Sequence, residues 1–465
     1  MIFPENPLSI CERSCERCER CAAPRDSRYP AHLVSAMKRT PLLVLLVLAG
    51  TGLLRAAPPN IVFIVSDDQL WSDYSFMGSK DVRTPNLDRL AAQSLTYTRG
   101  YVPSSLCCPS LASMITGQYP HQHKVTSNDP PFPTDGTPKK QFNKSKGFGD
   151  GREVMNRYMD AAPSLPRMLA QKGYLSLQTG KWWQGNFSRG GFTHGMTRGE
   201  RHGDEGLDIG RKTMQPIYDF IALAQKEQKP FFVWYAPMLP HQPHNPPERL
   251  LEKYRAKTPS LPVAKYWAMV EWFDETCGQL LDHLDQKGLS NDTIIVYLSD
   301  NGWITNPQTG AYADKSKQSQ YDGGLRTPIM LRWPARITPQ RSTRLASSID
   351  LAPTLLKAAG VPVPASMSGL DLFDSAAVNG RDTIYGECFT HNSMDLNRPA
   401  ASLRYRWLIE GDWKLIVPAT RNEPTATVEL YQLDADPTEM KNLAAGEKER
   451  VYRLQTKLDA WWNGK

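Results

Sequence analysis

Two unbroken apolar runs constrain this chain more than any other feature. Ile61-Val62-Phe63-Ile64-Val65 leads into Ser66-Asp67-Asp68, and Thr293-Ile294-Ile295-Val296-Tyr297-Leu298 leads into Ser299-Asp300-Asn301-Gly302. A strand wetted on one face alternates apolar and polar residues. A run without alternation is covered on both faces, as in a parallel sheet between layers of helices. Further strands are expected at 95–99, 174–179, 231–236 and 329–333. Helical spacing recurs between them at 84–93, 162–173, 217–228 and 266–286. This alternation predicts an α/β fold with a large, mostly parallel sheet flanked by helices. Acidic residues that follow buried strands then stand at strand C-termini, where open α/β sheets bind ligands. Asp67, Asp68, Asp300 and Asn301 form an all-oxygen set suited to a hard cation, Ca²⁺ or Mg²⁺. Each pair alone reads better as a turn; the repeat after two buried strands favours a metal.

A third stretch is built to meet these carboxylates. In Cys107-Cys108-Pro109-Ser110-Leu111-Ala112-Ser113-Met114-Ile115-Thr116-Gly117, Pro109 suits a first helical turn and Gly117 a helix stop. Cys107 then lies at a helix N-terminus, where free N–H groups and the dipole favour an anion. The alternative is an ordinary buried cysteine.

Cys107-Cys108-Pro109-Ser110 followed by Ile115-Thr116-Gly117 resembles the signature of the sulfatases, a family of the alkaline-phosphatase-like superfamily. The resemblance extends through Pro59-Asn60-Ile61-Val62, Asp67-Asp68, Thr84-Pro85-Asn86-Leu87-Asp88-Arg89-Leu90, Gly180-Lys181-Trp182, Pro240-His241-Gln242-Pro243, Ser299-Asp300-Asn301-Gly302 and Tyr321 to Pro328. It implies hydrolysis of a sulfate ester by a formylglycine made from Cys107 by a formylglycine-generating or equivalent maturation enzyme. One hydroxyl of the hydrated aldehyde attacks sulfur and the alcohol leaves. The other hydroxyl then loses its proton, sulfate is expelled and the aldehyde returns. The resemblance further implies Ca²⁺, with Mg²⁺ second, held by Asp67, Asp68, Asp300, Asn301 and the residue at 107. It casts Lys181 and Lys317 as sulfate-binding cations and His241 as proton donor to the leaving oxygen. Lys315 competes with Lys317, and His244 with His241. Cys108 fills the variable position, or pairs with Cys107 in a redox couple. Arg326 reads as structural.

Two positions depart from the family pattern. Leu111 stands where the family has an arginine that aids maturation and the aldehyde hydrate. Trp183 stands where the family often has a histidine that deprotonates the diol as sulfate leaves. His121 and His123 either compensate or cap the next loop. These departures keep two alternatives open: a phosphate or phosphonate ester hydrolase of the same superfamily, and a catalytically degenerate, sulfatase-like binding protein. A cysteine nucleophile favours the sulfatase over the phosphatase. The retained acids, Lys181 and His241 argue against degeneracy.

Of 465 residues, the first 57 hold eight Lys/Arg and five Asp/Glu, so the net charge of +7 falls to about +4 for the rest. That scattered charge gives no nucleic-acid footprint. Cys11, Cys15, Cys18 and Cys21 lack the histidines and spacing of a zinc site, and Cys107, Cys108, Cys277 and Cys388 make no disulfide framework. Met37-Lys38-Arg39, an apolar run from Leu42 to Leu54 and Ala56-Ala57 form a signal-like pattern too short to span a membrane. The expected organisation is a misread start or disordered leader at 1–36, a signal peptide at 37–57, a catalytic domain at 58–375 and a C-terminal subdomain at 376–465. The protein is expected to be exported, with no stable membrane span after signal removal.

The C-terminal subdomain is expected to be a small antiparallel sheet plus a helix. A hairpin is read at 405–410 and 413–417 around Gly411-Asp412, then a strand at 430–433. Asp436-Pro437-Thr438-Glu439 is expected to open a final helix running through Trp462. Two polar segments, 130–151 and 184–213, read as long loops that could wall a substrate cleft. The substrate expected from the resemblance is a sulfated small molecule or glycan.

Overall fold

The first apolar run is a strand because both of its faces are covered. In β1 (Asn60–Ser66), Ile61, Phe63 and Val65 enter one apolar core, and Val62 and Ile64 enter another on the opposite side of the sheet. Burying each such side chain contributes about 1.5–3 kcal/mol, so both helix layers are held by the same short strand. The computed structural model describes residues 57–134, 136 and 138–465. The expectations for the leader at 1–36 and the signal-like segment up to residue 56 lie outside the described residues.

The main sheet has eight strands. With β2 (Leu95–Tyr101), β3 (Leu175–Gly180), β4 (His194–Gly195), β5 (Phe231–Ala236), β6 (Thr293–Ser299), β7 (Arg326–Arg332) and β8 (Gln340–Ser347), the order is β4-β3-β5-β1-β6-β7-β2-β8. All pairings are parallel except those of β7, which runs antiparallel to both β6 and β2. β1 lies beside β6 in unbroken register from Asn60↔Thr293 to Ser66↔Ser299, so the residues that follow both strands emerge at one edge. A second, antiparallel sheet has the order β12-β11-β10-β9, from β9 (Thr383–Phe389), β10 (Leu403–Glu410), β11 (Trp413–Pro418) and β12 (Glu429–Gln432). The architecture is therefore the expected α/β sheet with a small antiparallel sheet and helix. Among the described residues no helix is long and apolar enough to cross a membrane.

Two local expectations are corrected. The segment 130–151 is not all loop, because a helix spans Lys146–Ala161. Ser145 caps it by accepting the Phe148 N–H at 3.1 Å, and Phe148, Met155 and Met159 form its buried face. The final helix starts at Lys448, not at Asp436. Asp436 Oδ2 accepts the Lys441 N–H (2.8 Å) in a turn, and Glu439 has a left-handed φ of 57° that a helix does not admit.

Candidate active site

The site begins where β1 and β6 end. Asp68 has a left-handed φ of 69°, uncommon for a non-glycine residue, and this turns its carboxylate back over the sheet edge. Its N–H donates to Asp300 Oδ1 (3.0 Å), and its Oδ1 accepts from Asn301 Nδ2 (2.7 Å). The helix α2 (Cys107–Thr116) brings Cys107 to the same place, where the thiol donates to Asn301 Oδ1 at 3.4 Å. Cys107 is 1% exposed, and burial pushes its thiol up to about 12, against the pull of Lys181 and Lys317. Gly117 ends α2 with a φ of 63°, as its sequence position predicts.

Two lysines and a histidine complete the cluster. Gly180, at φ 73°, lies so close to the neighbouring strand that a Cβ would come within 1.9 Å of the Ala236 carbonyl oxygen. That approach lets Lys181 N–H donate to Ala236 O (2.6 Å) and aims the ammonium at Asp67 Oδ1, 2.6 Å away. Lys317 Nζ donates to both Asp68 oxygens at 2.7 and 2.8 Å. Burial acts to lower both ammoniums, but Asp67 beside Lys181 and Asp68 beside Lys317 hold them above the ordinary lysine value. His241 Nε2 stands 3.4 Å from Asp68 Oδ2, and its Nδ1 donates to the Gln242 carbonyl (2.6 Å). Burial, Lys181 and Lys317 together hold this imidazole well below the usual histidine range.

The donor set fits a divalent cation. Ligand atoms of Asp67, Asp68, Cys107 and His241 lie within 4.8 Å of one another. Asp67 Oδ2 and Asp300 Oδ2 are buried without a hydrogen-bond partner among the described residues, a costly state that a cation would relieve. Burial raises both carboxyls, against the pull of Lys181. Three carboxylates and two ammoniums leave one negative charge. A divalent cation would make the balance positive by one, matched to a sulfate monoester.

The residues 59–361 match the family model for sulfatases, and 310–461 match that for the C-terminal part of N-sulphoglucosamine sulphohydrolase. The chain belongs to the sulfatase family. It is a sulfuric ester hydrolase, 30% identical to human arylsulfatase A over 87% of each chain. The fold is shared with a protein solved with its substrate D-glucosamine-2-N,6-O-disulfate (TM-score 0.65, 21% identity, covering 87% of this chain and 97% of that one). It is shared equally with the phosphonate monoester hydrolase of Agrobacterium radiobacter (TM-score 0.63, 19% identity, 87% and 95% covered).

Within this sulfatase, all seven residues singled out around Cys107 converge: Asp67, Asp68, Lys181, His241, Asp300, Asn301 and Lys317. Their competitors lie elsewhere. Lys315 is turned away, donating to the Glu439 carbonyl and lying 4.6 Å from the centre of the Tyr321 ring. His244 packs between Tyr266 and Trp303. Cys107 and Cys108 are both free, and Gln184 Nε2 meets the Cys108 sulfur at 2.9 Å. Arg326 donates to the Thr98 carbonyl and covers Trp71, a structural role.

The suggestion that His121 or His123 compensates for Trp183 is not supported by their positions. His121 pairs with Glu387 and stacks on Trp462, 4.5 Å between ring centres. His123 accepts the Val125 N–H at Nδ1 and meets Ser113 Oγ through Nε2, while burial pushes it down to about 3. Leu111 packs in the apolar core beneath α2. Several residues at the site's edge were not singled out from sequence: Asn128, Asp129, Arg152, Arg201 and His202. His202 packs edge-on to Trp183 (4.3 Å) and lies 6.0 Å from the His241 ring. The abundance of Arg, His and Gly in 184–213 was the one signal for the last two.

Proposed function

We propose that this sulfatase hydrolyses the sulfate ester of a glycan through a formylglycine formed at position 107, with Ca²⁺ held by Asp67, Asp68, Asp300 and Asn301. The observation that carries this reading is the pair of buried carboxylate oxygens, Asp67 Oδ2 and Asp300 Oδ2, without a hydrogen-bond partner among the described residues, in the cluster that also holds Cys107, Lys181 and Lys317. A hydroxyl of the hydrated residue 107 attacks sulfur and gives its proton to Asp300, and the bond from sulfur to the alcohol oxygen breaks. His241 supplies the proton that the departing oxygen takes, once the bound anionic sulfate has offset Lys181 and Lys317, which otherwise help to hold its imidazole neutral. Lys181 and Lys317 stabilise the charge on the sulfate oxygens as it shifts, an electrostatic contribution that buried, fixed donors make well. The second hydroxyl of residue 107 then gives up its proton to the now neutral His241, sulfate leaves and the aldehyde is restored. Ca²⁺ when bound acts as a Lewis acid that lowers the proton affinity of the oxygens it touches. Export through the segment 37–57 and maturation by a dedicated enzyme belong to the same reading. The neighbour solved with a sulfated glucosamine supports a sulfated glycan as substrate class.

Mass spectrometry of the Cys107 peptide from protein made in its native host tests this. Formylglycine lowers the mass by about 18 Da relative to cysteine, as the thiol gives way to an aldehyde. The N-terminal peptide of the same digest reads the mature N-terminus. An unmodified thiol in folded protein that turns over no sulfate ester would overturn the reading. It would favour the degenerate binding protein that Leu111 and Trp183 suggest. Turnover of a phosphonate ester in preference to a sulfate ester would favour the phosphonate hydrolase.

A further inference from the structure

One charged feature beside the nucleophile is not used by the sulfate chemistry. The Trp183 ring is bordered by two guanidiniums, Arg201 with its central carbon 4.9 Å from the ring centre and Arg152 at 5.5 Å. Consecutive residues fix both. Asp129 takes a fork of two bonds from Arg201, 2.9 Å each, and the Asn128 carbonyl accepts from Arg152 Nη1 at 2.9 Å. The Asn128 side chain also accepts the Cys108 N–H at 2.9 Å, so the same short segment ties both arginines to the start of α2.

The charges do not cancel. Asp129 answers Arg201, but among the described residues no carboxylate answers Arg152, whose other contacts are the Met155 sulfur at 3.9 Å and the Cys108 thiol. An arginine needed only to cover a tryptophan would gain from a carboxylate partner here. A fixed guanidinium with donors left over is suited to bind a carboxylate or sulfate in a forked geometry. It is reachable, since Arg152 is itself only half-buried.

We propose that Arg152, with Arg201 beside it, binds a second anionic group of the substrate, so that this sulfatase acts on polyanionic glycans rather than on simple monosulfates. The inference rests on the sulfatase reading of the same site. The second group is a carboxylate or a further sulfate, each of which offers a pair of anionic oxygens to a guanidinium fork.

The test is calorimetric binding to Ca²⁺-loaded full-length protein carrying Cys107→Ser. Three probes are used: glucosamine 6-sulfate, D-glucosamine-2-N,6-O-disulfate and a uronyl N-acetylgalactosamine 6-sulfate disaccharide. At least one dianionic probe is expected to bind about tenfold or more tightly than the monosulfate, the scale of one charge-assisted hydrogen-bond pair. Which probe gains tells sulfate from carboxylate. Adding Arg152→Gln should bring the affinity ratio close to one, and Arg152→Lys should keep part of it. Equal affinity for all three probes, or no binding, overturns the proposal. So does an Arg152→Gln loss that is the same for every probe, because that places Arg152 on the scissile sulfate or in the fold. If Arg152→Gln does not fold, the wild-type ratio and the lysine variant decide. Turnover of 4-methylumbelliferyl sulfate by mature wild-type protein reports on the sulfatase reading separately.

Discussion

Lys317 and Asp68 are a buried ion pair whose worth depends on what else is bound. Without metal, the ammonium is the counter-charge for both Asp68 oxygens. Removing one partner of such a pair typically costs about 3–5 kcal/mol, because the other is left charged and dry. With Ca²⁺ on Asp68, the cation takes over that task. Lys317→Ala should therefore lower the melting temperature much more in chelator than in excess Ca²⁺, while reducing turnover in Ca²⁺ about a hundredfold or more. Equal melting shifts in both conditions would show that Asp68 does not hold the metal. At this scale the sequence spoke clearly for residues adjoining buried strands, such as Asp67 and Asp300. It left Lys315 and Lys317 open because they lie two apart in an irregular segment, where no period says which way a side chain points. Arg152 and Asp129 were illegible. Their role comes from meeting across the fold, and neither stands in a motif.

The small sheet is tied to the main one by a buried trio. Lys414 on β11 contacts Asp322 (2.9 Å) and Glu439 (2.7 Å), and Glu439 also accepts the Asp322 N–H at 2.6 Å. Burial pushes the Glu439 carboxyl up to about 7, with Lys414 pulling it down and Asp322 adding to the rise. Between its unfolded value near 4.5 and about 7, the folded chain holds a proton that the unfolded chain has lost. Stability from this group is then lost as pH rises through that window, with no slope below or above it. Glu439→Gln removes the slope, so its melting temperature relative to wild type should be more favourable at pH 7.5 than at pH 5. A difference that does not change between these pH values would mean that Glu439 ionises normally in the fold. Whole elements were legible where periodicity was uninterrupted: β1, β6 and the β10–β11 hairpin stand where their patterns put them. The helix Lys146–Ala161 was hidden because Gly147, Gly149 and Gly151 crowd its first turns and read as loop. The final helix was placed too early because Asp-Pro-x-Glu is also a turn sequence, and here Glu439 is drawn into the trio instead.

The site is a property of the whole molecule. Asp68 and Lys317 are separated by 249 positions in sequence, and they meet because the pairing of β1 with β6 brings the segments that follow both strands to one sheet edge. Metal that binds only the folded chain stabilises all of it, by about 2.7 kcal/mol at a hundredfold excess over its dissociation constant. Chelation should lower the melting temperature and abolish turnover, and Ca²⁺ should restore both at lower concentration than Mg²⁺. Restoration by Mg²⁺ at lower concentration would reverse that assignment. If a second enzyme converts Cys107, as proposed, its burial sets a deadline in the life of the chain. A side chain 1% exposed, closed over by strands that end as late as Ser299 and by a lysine at 317, is within reach of another enzyme only while those segments are still being made or have not yet docked. Rapid folding would then lower the fraction of competent molecules, and slowing synthesis downstream of Cys107 would raise it.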